Sequence, residues 1–71
     1  MLNANKLKAK LVENDINVET FAKMIGISKD TMYRRINDGE SFTLGEIDAS
    51  ISTLSLTIED VNAIFFAQMF A

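Results

Sequence analysis

Lysine and arginine are the side chains best suited to chemistry in this 71-residue chain, because it contains neither histidine nor cysteine. Without histidine it lacks the usual acid–base catalyst at neutral pH and the commonest metal ligand. Without cysteine it can form neither a disulfide nor a thiolate zinc site. So small a chain also leaves little room for a ligand pocket. We therefore expect no enzymatic activity, no metal, no cofactor and no small-molecule ligand.

The positive charges are confined to the first half of the chain, although the whole sequence has a net charge of −3. Residues 1–36 hold all seven cations against four carboxylates, whereas the segment after Ser41 holds four carboxylates and no cation. This asymmetry is typical of a molecule with one face toward phosphate and one face away. Chance asymmetry in a small acidic protein is the alternative.

A cluster of polar side chains with recognition chemistry lies between residues 29 and 34 and comprises Lys29, Asp30, Tyr33 and Arg34. Met32 and Ile36 are four residues apart and would share the inward face of a helix. The polar cluster would then point away from the core, on a short and partly cationic surface.

The elements that must position this cluster are two short helices joined by a tight turn, predicted within residues 17–36. Asn17 is a suitable N-cap for the first helix, Gly26 a suitable stop, and Ser28 a suitable N-cap for the second. The apolar residues of the first helix recur at helical spacing and are expected on one face: Phe21, Met24 and Ile25.

This pattern resembles the helix-turn-helix of the lambda-repressor-like family, the small phage and bacterial repressors of the Cro and XRE type. The resemblance rests on Phe21, Ala22, Gly26, Ile27, Ser28, Thr31, Met32 and Arg34. It implies an all-α fold, a five-helix lambda-repressor-like bundle, with residues 1–71 as a single helix-turn-helix DNA-binding domain. Two positions depart from the family pattern. Val18 stands where the family often has a phosphate-binding glutamine, and Arg35 stands where it often has an apolar residue.

Three further helices are predicted around the motif. The first should run from about residue 4 to 14, and the fourth from about residue 44 to 53. Thr43 and Glu46 form a capping-box pattern at the start of the fourth helix, and Thr57 is a suitable N-cap for the fifth. The apolar residues at helical spacing in the fourth helix are Leu44, Ile47, Ile51 and Leu54.

The fifth helix has more apolar residues than one face can hold. Its main stripe would be Ile58, Val61, Phe65 and Met69, and the residues outside that stripe are Ile64, Phe66 and Phe70. The extra residues either fold back onto the core or form a protein–protein surface. We favour a homodimer interface made by these three residues, because repressors of this fold usually bind paired half-sites as symmetric dimers.

The resemblance also implies how DNA would be contacted. The second helix of the motif would enter the major groove, with Lys29, Asp30 and Arg34 as base readers. The planar fork of Arg34 matches guanine O6 and N7. Asp30 either accepts from cytosine N4 or only stabilises the positive end of its own helix. The other expected contacts are Ser28, Thr31, Tyr33, Arg35, Ser41 and Thr43, with Lys10 and Lys23 as cations that either reach phosphate or are simply solvated.

Together these features predict sequence-specific binding of double-stranded DNA in transcriptional regulation. The resemblance implies a Cro/cI-like repressor that acts as a homodimer on a palindromic operator in the cytoplasm of a bacterial or phage-infected cell. The dispersed apolar residues predict neither a transmembrane segment nor a signal peptide. The alternative is a helical protein-interaction module that uses the phenylalanine-rich C-terminal surface. An acidic pI of about 4.7 and the missing glutamine favour that alternative.

Overall fold

The structure, a computed structural model, describes residues 2–39 and 41–67, and these residues form five α-helices and no strand. The helices are α1 (Ala4–Glu13), α2 (Val18–Ile25), α3 (Lys29–Asp38), α4 (Leu44–Leu54) and α5 (Ile58–Phe65). The predicted all-α fold with five helices is confirmed. No helix in this part of the chain has the length and apolar character that crossing a membrane requires.

Each helix begins at a polar side chain that accepts a hydrogen bond from the backbone of the first turn. These N-caps are Asn3, Asn17, Ser28, Thr43 and Thr57. Both α4 and α5 have complete capping boxes. Since four of these caps were predicted from the sequence, local side-chain chemistry accounts for where most of the helices start.

The turn between α2 and α3 depends on Gly26, which has φ +82°. This left-handed conformation is costly for residues with a Cβ atom. The amide of Ile27 then donates to the carbonyl of Ala22 at 3.0 Å and closes the helix end. The predicted stop at Gly26 is confirmed, and it sets the angle at which α3 leaves α2.

A single cluster of buried apolar side chains fills the space between the helices. Its members are Leu7, Leu11, Phe21, Ala22, Ile25, Met32, Ile36, Phe42, Ile47, Leu54, Leu56, Ile64 and Phe65. Phe42 and Phe65 meet edge to face with their ring centroids 5.3 Å apart. The backbone amide of Asn3 donates to the carbonyl of Ile64 at 2.7 Å, so the start of α1 is tied to α5. The core holds α2 and α3 against the other three helices.

Three residues expected on inward faces lie at the surface instead. Met24 is 54% exposed, Leu44 is 83% exposed and Ile58 is 74% exposed. Leu44 and Ile58 are the first residues of their helices, where the side chain lies beyond the edge of the core. The buried face of α2 is formed by Phe21, Ala22 and Ile25, which places Met24 outside it.

The inward face of α5 also differs from the prediction. Ile64 is 1% exposed and belongs to the core, so its assignment to a dimer interface is wrong. Phe66 is partly buried and packs against the same core. Met69 and Phe70 lie outside the described residues. The buried residues Ile64 and Phe65 follow Val61 at three- and four-residue spacing, which is the ordinary inward stripe of a helix.

Candidate nucleic-acid interface

The outward face of α3 presents the polar cluster that the sequence predicted. Lys29, Asp30, Tyr33 and Arg34 are all exposed, whereas Met32 and Ile36 are buried beneath them. The helix has ten residues, which at the rise of an α-helix makes it about 15 Å long. With its side chains an α-helix is about 10–12 Å in diameter, which fits the major groove of B-DNA, about 12 Å wide.

The first turn of α3 is organised by Ser28. Its Oγ accepts from the amide of Thr31 at 3.1 Å, and its hydroxyl donates to Thr31 Oγ1 at 2.9 Å. Lys29 Nζ lies 4.0 Å from Glu19 Oε1 of α2, and both side chains are more than half exposed. An ion pair this exposed is weak. Lys29 is therefore available to exchange Glu19 for a phosphate or a base.

Arg35 does not behave as the exposed cation that the sequence predicted. Its Nη1 donates to Glu46 Oε1 in α4 and to the carbonyl of Ser41 at 3.2 Å. Its guanidinium carbon lies 5.4 Å from the ring centroid of Phe42. The Arg35 and Glu46 side chains are each only 14% exposed. The guanidinium of Arg35 is therefore engaged within the protein, whereas the sequence led us to expect a contact with DNA.

The start of α4 offers a second set of hydrogen-bond donors. Thr43 Oγ1 accepts from the amide of Glu46 at 3.1 Å, and Glu46 Oε1 accepts from the amide of Thr43 at 2.9 Å. The capping box therefore engages both the amide and the hydroxyl oxygen of Thr43, which the sequence analysis named as an expected DNA contact. The amides of Leu44 and Gly45 occupy the next two positions, have no partner within the helix, and lie at its positive end. Ser41 is exposed nearby.

Comparison with known families identifies this arrangement. The family model described as "Cro/C1-type HTH DNA-binding domain" matches residues 6–66, which is most of the chain. The chain belongs to this family. The predicted resemblance is thereby confirmed, and with it the helix-turn-helix fold and the binding of double-stranded DNA. No curated protein and no solved structure shows significant similarity to the chain.

Within the Cro/C1-type motif, α2 and α3 are the two helices of the helix-turn-helix. In this class of domain the second helix lies in the major groove while the first crosses the backbone. In this chain α3 is the helix that corresponds to that second helix. Val18, the departure from the family pattern, packs partly buried against the core.

Lys10 lies in an ion pair that ties α1 to α5 of the Cro/C1-type domain. Its Nζ is 3.2 Å from Asp60 Oδ2 and 3.5 Å from Glu13 Oε2. The hydrogen bond with Asp60 raises the pKa of Lys10 above 10.5. The hydrogen bond from the Thr57 amide lowers the pKa of Asp60 below 3.8, and Lys10 lowers it further. The sequence left open whether Lys10 reaches phosphate or is solvated, and in the structure this cation has two acidic partners.

Sequence reasoning missed both of these ion pairs. The Arg35–Glu46 pair had a usable signal, since an arginine at a position that is often apolar in the family needs an acidic partner when it turns inward. The Lys10–Asp60 pair had no comparable signal, because fifty residues separate two surface charges that only the packing of α5 on α1 brings together.

Proposed function

We propose that the protein is a sequence-specific regulator of transcription, a Cro/cI-like repressor that binds its operator with α3 in the major groove. Residues 1–71 would act as a single DNA-binding domain. The observation that carries this proposal is the exposure of Lys29, Asp30, Tyr33 and Arg34 on one face of α3. Binding to a promoter would occlude it, in the cytoplasm of a bacterial or phage-infected cell.

Arg34 is the main base reader in this proposal. It is exposed on the helix face that also presents Asp30 and Tyr33. Its planar fork matches guanine O6 and N7, and such a bidentate contact contributes about 1–3 kcal/mol of discrimination between bases. Lys29 supplies a guanine or phosphate contact. Asp30 either accepts from cytosine N4 or acts only on the helix dipole.

Phosphate would be held at both ends of this surface. At one end, Ser28 and Thr31 begin α3. At the other, the unpaired amides of Leu44 and Gly45 begin α4, close to Ser41. Contacts to the two flanking phosphate groups would fix how deeply α3 sits in the groove, because such contacts set register and orientation.

A homodimer on a palindromic operator is part of the proposal. Two copies would place two α3 helices in successive major grooves, about 34 Å apart along the duplex. Ile64 is excluded from the contact between subunits by its burial. Phe66, which is only partly buried, remains a candidate.

The alternative, a module that binds only protein, depended on a large phenylalanine-rich surface near the C-terminus. Burial of Ile64 removes one apolar residue from that surface in the described chain. DNA binding therefore has the stronger support.

The test is a titration of a fluorescent pool of upstream promoter duplexes with wild type, Arg34→Ala and Lys8→Ala at two salt concentrations. Lys8 is an exposed cation of α1 and serves as a matched control for the lost charge. We expect selective binding that weakens with salt, drops in Arg34→Ala and changes little in Lys8→Ala. Absence of binding by the folded wild type at low salt would refute DNA recognition and favour the protein-binding alternative.

A further inference from the structure

We propose that Arg35 is a positioning residue for DNA recognition, although it does not itself touch DNA. It would hold α3 against the start of α4, so that the base-reading face and the phosphate-binding amides keep one fixed spacing. This inference rests on the proposed binding of DNA by α3 and α4.

One guanidinium spans the whole connection between the two helices. From the last part of α3, Arg35 reaches the carbonyl of Ser41 at 3.2 Å, the ring of Phe42 at 5.4 Å and the carboxylate of Glu46. Ser41 and Phe42 precede the N-cap Thr43, and Glu46 lies in the first turn of α4. The connection itself begins at Gly39, which has φ +71°. Glycine gives the backbone conformational freedom there. The contacts of Arg35 with Ser41 and Phe42 restrict the conformations that the connection can adopt.

The partners of Arg35 are themselves fixed. Phe42 is 8% exposed and packs edge to face on Phe65 of α5. Glu46 also accepts from the amide of Thr43 at 2.9 Å in the capping box. Arg35 therefore contacts residues at the start of α4 that are held in place by the core and the capping box. These contacts fix the position of α3 relative to α4.

Arg35 also neutralises the charge of the Glu46 carboxylate at the proposed phosphate-binding end of α4. The Glu46 carboxylate lies in the first turn of α4, beside the amides that would meet phosphate. An uncompensated carboxylate there would repel the DNA backbone. The paired Arg35 removes this repulsion, and its low exposure leaves little of its guanidinium for a phosphate of its own.

Such a role has a distinctive consequence for binding. Specific binding needs α3 in the groove and α4 on phosphate at the same time, whereas non-specific binding needs only enough cationic surface near the backbone. Loosening the spacing should therefore weaken specific binding more than non-specific binding. A variant that only unfolds more readily would lose both by the same factor.

The experiment compares Arg35→Lys with Arg34→Lys on the selected duplex and on a scrambled duplex, after circular dichroism has fixed a temperature at which each variant is folded. Both substitutions keep the charge but lose the planar fork. We expect Arg35→Lys to lower affinity for the selected duplex about ten-fold, as for residues that share a contact network, while the scrambled duplex binds nearly as well as to wild type. Its preferred bases should remain those of wild type, whereas Arg34→Lys should change the preference at one base pair.

A second variant keeps the proposal falsifiable if Arg35→Lys does not fold. Glu46→Gln preserves a capping-box side chain but removes the charge pair with Arg35. We expect it to lower the ratio of the affinity for the selected duplex to the affinity for the scrambled duplex. If only charge mattered, the variant would instead bind DNA more tightly, because it loses an acid near the phosphate backbone.

Two outcomes would overturn the inference. In the first, Arg35→Lys binds both duplexes like wild type. In the second, Arg35→Met weakens both duplexes equally and makes the slope of log K against log salt shallower by about 1, which indicates a direct phosphate contact. Failure of wild type to bind any duplex would show earlier, before a variant is tested, and would reject the proposed function together with this inference.

Discussion

Asp60 shows at the scale of a single residue how one side chain serves two purposes. Its carboxylate accepts from the Thr57 amide at 3.0 Å in the capping box of α5 and pairs with Lys10 of α1 at 3.2 Å. Both partners stabilise the charged form, and the pKa of Asp60 is accordingly lowered from its ordinary value of 3.8. The same carboxylate begins one helix and fastens it to another.

This lowered pKa predicts a dependence of stability on acid. In the unfolded chain Asp60 regains its ordinary pKa, so below about pH 4 the unfolded chain binds the proton more readily than the folded one. The stabilisation by Asp60 is therefore complete above that pH and is lost as the pH falls through the lowered folded value. We expect the difference in free energy of unfolding between wild type and Asp60→Asn to be largest near neutral pH and to shrink toward pH 2, as measured by urea titration.

Asp48→Asn provides the matched control, because Asp48 is an exposed aspartate of α4. It removes the same charge without removing a cap or an interhelical partner. A difference between wild type and Asp60→Asn that stayed constant through acid would contradict the assignment. The raised pKa of Lys10 gives the opposite pH dependence, since its contribution to stability is present below pH 10.5 and is lost as the pH rises above that value.

At the scale of elements, the turn between α2 and α3 depends on backbone conformation more than on packing. A Cβ atom added to Gly26 would find no atom within 4 Å, but φ there is +82°. We expect Gly26→Ala to lower the free energy of unfolding by about 1–2 kcal/mol through the left-handed conformation alone. Chemical denaturation measures this.

Gly45→Ala is the control for that substitution. A Cβ atom at Gly45 would lie 4.0 Å from Thr43 Oγ1, an ordinary contact, and the residue is helical. Alanine in a helix is favoured over glycine by about 0.5–1 kcal/mol. The two substitutions should therefore shift stability in opposite directions, and equal losses would show that the turn conformation is not the cause.

The helix α5 offers a second comparison between two isoleucines on one element. Ile64 is 1% exposed and Ile58 is 74% exposed. We expect Ile64→Ala to lower the free energy of unfolding by about 2–5 kcal/mol, because it leaves a cavity in the core. Ile58→Ala should change it by no more than about 0.5 kcal/mol. Thermal unfolding of the two variants measures this, and a small effect at Ile64 would return it to the list of interface candidates.

The elements themselves were largely predictable from the sequence, whereas their buried faces were predictable only in part. Caps are local, so Asn17, Ser28, Thr43 and Thr57 could be identified from residues within one turn. Burial depends on where neighbouring helices lie, and spacing alone cannot separate two overlapping stripes. In α5, Val61 and Phe65 of the predicted stripe pack inward as expected, whereas Ile58 is exposed and Ile64 is buried in the core.

At the scale of the whole molecule, the charge distribution should govern affinity. The net charge of −3 opposes DNA, while Lys29 and Arg34 lie exposed on the face of α3. We expect binding to the selected duplex to weaken at least about ten-fold between 50 and 200 mM salt, with weak binding to a scrambled duplex throughout. Fluorescence titration over that range measures both. Binding that is indifferent to salt would show that apolar contacts carry the affinity.

The exposed face of the candidate site could be predicted because Met32 and Ile36 fix the rotation of α3. Arg34 and Arg35 are neighbours in sequence, yet they have opposite surroundings. Successive residues of an α-helix are rotated by about 100° around its axis. Arg34 is therefore exposed, whereas Arg35 contacts the connection with α4. Glu46, which pairs with Arg35, lies eleven residues further along the chain. The pairing could therefore not be predicted from a local sequence pattern.

The hydrogen bond between Asn3 and Ile64 has a consequence for the topology of the chain. It brings two distant points of the polypeptide to within 2.7 Å, so the described chain is already almost a ring. A covalent cross-link between residues 3 and 64 would therefore demand little movement of the folded form, while it would restrict the unfolded ensemble. The helix-turn-helix would lie entirely within the closed loop.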